Sequence, residues 1–115
     1  MLGVVIDCED PARLAGFWSS LVGGEIDARS ASADWVALVD VAGLGYLGFQ
    51  RVLEPKSVKN RLHLDHIVDK LDAAVEHAVE LGASTIGPEC EEPTNRFQVM
   101  HDPEGNEFCL VQLLR

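Results

Sequence analysis

Positive charge is what this sequence has least of. Lys and Arg number 9 against 19 Asp and Glu, for a net charge of −10 over 115 residues. A small acidic chain with no dominant basic face is a poor partner for nucleic acid or an anionic membrane. Long apolar runs are missing too, and none approaches the ~20 residues of a membrane span. The first residues, MLGVVIDCED, carry no basic region and meet acid at Asp7, so no secretory signal is expected. Cysteines are few. Cys8, Cys90 and Cys109 are odd in number and widely spaced, which fits neither a disulfide framework nor a zinc pattern. They read as free thiols in a reducing compartment, so a cytoplasmic location is expected. Phosphate-cradling loops and a nucleophile elbow are absent. Aromatic residues make up just 6%, while 47% of the chain is hydrophobic and 24% charged, which are globular proportions. The length is that of one domain and buries enough surface to fold without a disulfide or a metal.

The chain reads twice. Asp10-Pro11 opens a helical stretch that closes at Gly23, and Asp69 opens another that closes at Gly82, over an equal interval. Asp10 is a capping residue, Pro11 suits the first helical position, and Gly23 supplies the left-handed stop. Leu14, Phe17, Trp18, Leu21 and Val22 form one apolar stripe at helical spacing, which places Trp18 in the core. Leu71, Ala74, Val75, Ala78 and Leu81 repeat the stripe with smaller residues, and His77 lies off it, in solvent.

Strands flank each helix. Val4-Val5-Ile6 precedes the first, and Glu25 to Ser30, Trp35 to Asp40 and Tyr46 to Val52 follow, with a glycine-bearing turn at 42–45. The segment from His63 to Val68 precedes the second. Ser84 to Gly87, Phe97 to His101 and Glu107 to Leu113 follow, with a tight turn at Asp102-Pro103-Glu104-Gly105-Asn106. The result is an α+β chain of two βαβββ modules: module one at 1–54, a linker at 55–60 and module two at 61–115. Four of the nine basic residues fall between Arg51 and Arg61. That stretch reads as a solvated crossover, with binding of an anionic substrate tail as the alternative.

The doubled βαβββ order resembles the vicinal oxygen chelate superfamily, which includes glyoxalase I, bleomycin- and fosfomycin-resistance proteins and extradiol dioxygenases. The segments that carry it run from Asp10-Pro11 to Phe17-Trp18, then Phe49 to Val52, Lys59 to Asp65, Leu81-Gly82-Ala83 and Asp102 to Val111. The similarity is strongest to small glyoxalase-like proteins and spans nearly the whole chain. It implies paired cupped mixed sheets around a cavity, and a homodimer. In metal-dependent members it implies a divalent ion held by the first and last strands of each module, acting as a Lewis acid.

Carried over by position, His63 fills one ligand place. The place four residues after the turn glycine holds Cys109, with Glu107 two residues earlier on the same strand face. The first strand of module one offers Gly3 or Val4, which have no ligating side chain, and its last strand offers Gln50. The expectation is therefore a cup that holds a small organic molecule with its metal site degenerate and no cofactor. A weak divalent site at His63 and Gln50, or a zinc site that adds Cys109, is the alternative. The ligand-binding candidates are Trp35, Gln50, His63, Glu107 and Cys109. His63 and Asp65 share a strand face and are candidate catalytic residues, with Asp65 raising the basicity of His63 for lyase or oxygenase-type chemistry. The same pair also reads as a structural link. Gly48 leaves room for a ligand or for another backbone. His66 faces the other way, and His101 stands at a rim. A regulatory or assembly module with a vestigial pocket is the third reading.

Overall fold

The computed structural model describes residues 2–114. It contains two compact units, Met1–Lys56 and Ser57–Arg115, and the division falls within 55–60. In the first, β1 (Gly3–Cys8) leads to α1 (Pro11–Val22), then β2 (Glu25–Ile26), β3 (Trp35–Val39) and β4 (Tyr46–Arg51). The sheet order is β1-β4-β3-β2, with β1 parallel to β4 and the other pairs antiparallel. The second unit repeats this plan. β5 (Asp65–Ile67) leads to α2 (Leu71–Leu81), then β6 (Ser84–Glu92), β7 (Asn95–His101) and β8 (Glu107–Leu113), in the order β5-β8-β7-β6. The fold is the expected α+β fold of doubled βαβββ modules.

The cores follow the sequence stripes. In α1, Leu14, Phe17 and Trp18 are buried with Val36, Leu38, Leu47 and Phe49 of the sheet. Phe17 and Trp18 meet edge to face at 5.5 Å. In the second unit Leu71 and Ala78 are buried on the helix, and Met100, Phe108 and Leu110 on the strands.

Each helix is capped from a different place. Asp10 accepts from the Arg13 backbone N–H at 3.2 Å, the expected cap. Asp69 does not cap α2. Lys70 occupies that position with no side-chain bond, and Gln112 of β8 accepts from the Leu71 N–H at 2.8 Å instead. A partner across the sheet satisfies the free amide as well as a local one does.

Other expected boundaries shift for identifiable reasons. β2 stops at Ile26 because Asp27 turns the chain, accepting from the Arg29 N–H and the Ser30 hydroxyl. β6 runs past Pro88 to Glu92, because a bulge between Ile86 and Cys90 absorbs Gly87 and Pro88 on an edge strand. The buried Gln98 amide donates to the Ile86 and Gly87 carbonyls freed there. β5 begins at Asp65, leaving His63 just outside it.

Candidate functional site

The reason β5 begins late also builds the site. The Glu107 carbonyl at the start of β8 is taken by the Asn60 side-chain amide at 3.1 Å, and Glu107 Oε1 accepts from the Asn60 backbone N–H at 3.0 Å. The chain therefore enters the sheet through side-chain bonds, and the ladder resumes where Cys109 N–H donates to the Leu64 carbonyl at 2.9 Å. Between this fastened segment and the sheet lies a cleft of about 70 Å³. Its buried side is formed by Phe108, with half-buried Val99, Glu107 and Cys109. Its exposed side carries Lys59, Leu62 and His63.

Three of the expected site residues, His63, Glu107 and Cys109, thus line one cleft. Glu107 and Cys109 share a strand face, as alternation requires. Burial pushes the Cys109 thiol above its usual range, and the neighbouring Asp65 carboxylate adds to the shift. The thiol is therefore protonated near neutrality and a poor nucleophile. No hydrogen bond joins His63 to Asp65 in this structure, and Asp65 is not in the cleft lining. His66 is half-buried on the opposite face, and burial lowers its pKa. Asn60 was read from sequence as linker. Its partner Glu107 lies 47 positions along the chain.

Trp35 and Gln50 come together in the first unit, as facing partners of β3 and β4. The room expected over Gly48 is filled: a Cβ there would collide with the Trp35 indole. A Cβ on Gly3 would collide with the Tyr46 ring in the same way. The two rings meet edge to face at 6.5 Å.

A family model described as a glyoxalase-like domain matches residues 3–111. The chain belongs to the glyoxalase-like domain family. Solved structures agree on the fold. A glyoxalase/bleomycin resistance protein/dioxygenase family enzyme from Burkholderia phytofirmans PsJN is similar at 23% identity and a TM-score of 0.81, with 97% of each chain covered. The fosfomycin resistance protein FosX from Mesorhizobium loti is similar at 12% identity and a TM-score of 0.73, over 97% of this chain and 89% of that one. TioX from Micromonospora sp. ML1 is similar at 19% identity and a TM-score of 0.68, with 98% of each chain covered. No curated protein matches the chain.

A divalent ion needs several converging side-chain donors. Among the described residues, no three His, Cys, Asp or Glu side chains gather closely enough to hold one. Glu107 Oε1 already accepts from the Asn60 backbone N–H. Among the described residues no helix is long and apolar enough to cross a membrane.

Proposed function

We propose that this glyoxalase-like domain binds a small organic molecule in the cleft of its second unit. The observation that carries the reading is the convergence of His63, Glu107 and Cys109 on one hollow floored by Phe108 and Val99. A concave, mostly apolar site with a few polar groups is the usual form of a small-ligand pocket. Binding is favoured over catalysis by two features. Among the described residues no carboxylate is hydrogen-bonded to His63 to orient it as a base, and Cys109 is held as a thiol. We read residues 1–115 as one ligand-binding domain of two modules, working as a cytoplasmic homodimer.

The test is a screen of small organic molecules against the isotope-labelled full chain, read by backbone amide shifts. Binders should perturb Lys59 to His63 together with Val99 and Glu107 to Cys109, and His63→Ala should weaken them. Thermal stabilisation by those binders should persist in a chelator. Binders that move Trp35 and Gln50 and leave the cleft unchanged would overturn the assignment. Turnover of a bound molecule that His63→Ala abolishes would replace binding with catalysis.

A further inference from the structure

The lining groups of the cleft differ in what already occupies them. Glu107 is the one carboxylate among these described residues, and it is engaged: its Oε1 and its carbonyl take an N–H each from the backbone and side chain of Asn60. Cys109 contributes a neutral thiol. Among the described residues, the Lys59 ammonium and the His63 imidazole have no hydrogen bond or ion pair. Both are exposed, on the open side of the cleft with Leu62, whereas Phe108 is only 2% exposed.

Two free donors thus stand outside and hydrocarbon lies inside. We infer that the cleft takes short aliphatic carboxylates, head outward, with Lys59 as the residue that selects their charge. This rests on the proposed use of the cleft as a ligand site. The reverse pose, an amine tail against Glu107, would compete with bonds that Glu107 already makes to Asn60. An anionic head placed inward would meet the Asp65 and Glu107 carboxylates that act on Cys109. The cleft volume of about 70 Å³ restricts the tail to a few carbons, since sites for drug-sized ligands run to roughly 300–1,000 Å³. The Lys59 contribution is limited by its exposure. An exposed ion pair is worth about threefold to fivefold in affinity and falls with salt.

The experiment titrates isovalerate, isoamyl alcohol and isoamylamine, three molecules with the same branched tail, into the isotope-labelled full chain. Amide shifts at Lys59 to His63, Val99 and Cys109 report the site. Isovalerate should bind about threefold to fivefold more tightly than the alcohol, with the amine weakest, and the gap should shrink at high salt. Lys59→Met keeps the stem and removes the charge. It should erase the gap between isovalerate and the alcohol, whereas Lys59→Arg should keep it. If the alcohol binds in the cleft as tightly as isovalerate, or Lys59→Met preserves the preference, the carboxylate assignment is lost and the cleft reading stands. If none of the three moves those amides, both are lost.

Discussion

In the first unit Val5 pairs with Gly48, and in the second Asp65 pairs with Cys109. Val5 and Asp65 stand equally far ahead of their helices, so these are matching rungs of two ladders with one topology. Two residues earlier, Gly3 is matched by His63. In the first unit the glycines let Trp35 and Tyr46 lie directly against the backbone, and the rings fill the space over them. In the second unit the corresponding residues carry side chains, and those side chains border a cleft. Topology is therefore shared while the occupant of each rung decides whether the sheet face is filled or hollow.

The helices differ in the same sense, and this is where the largest effects lie. Trp18 is 3% exposed and packs edge-on to Phe17, so Trp18→Ala should cost about 3–5 kcal/mol by denaturant unfolding. Leu71→Ala in α2 should cost roughly 2–4 kcal/mol, because its stripe neighbours Ala74 and Ala78 offer less packed hydrocarbon. A larger loss at Leu71 than at Trp18 would break the contrast between an aromatic and an aliphatic unit.

Capping should separate the units next. Gln112→Ala leaves the Leu71 N–H without its acceptor at a site 1% exposed, a cost of about 1–2 kcal/mol. Asp10→Ala removes an exposed cap bond and should cost about 0.5–1 kcal/mol. Equal losses would mean that water replaces the Gln112 oxygen without penalty.

Gly48→Ala sharpens the comparison at the sheet face. The new methyl must displace the Trp35 indole, whose far edge lies where it would go. Trp35 is half-buried and can swing outward, so a loss of about 1 kcal/mol is expected. In a Trp18→Phe background the emission of Trp35 should shift to the red. Unchanged emission would show that the ring does not rest on Gly48 in solution.

These contrasts also mark how far the sequence could be read. Both helices, the doubled strand order and the shared face of Glu107 and Cys109 follow from local periodicity, so they were visible. The Gln112 cap, the Gln98 brace and the Asn60–Glu107 fastening were not. Gln112 and Glu107 bond to residues 41 and 47 positions away, and such pairs leave no periodic signal. The Trp35 ring over Gly48 is of the same kind. The sequence identified a small residue, but not which neighbour would use the space. His63, singled out by the family resemblance, stands just outside β5 and lines the cleft of the second unit.

The smallest effect is a pH dependence at His66 of the second unit. His66 pairs with Leu110, and the matching rung of the first unit pairs Ile6 with Phe49. Burial lowers the His66 pKa, so the unfolded chain takes up the proton before the folded one does. The folded state therefore loses stability as pH falls through the unfolded value near 6.5, and the loss levels off below the folded one. His66→Ile gives the second unit the residue type of the first and removes this proton uptake. The difference in denaturation midpoint between wild type and variant should then move with pH between about 7 and 5, in favour of the variant on the acid side. A difference that stays constant across that range would show that His66 protonates as easily folded as unfolded, and burial at this rung would then carry no cost in charge.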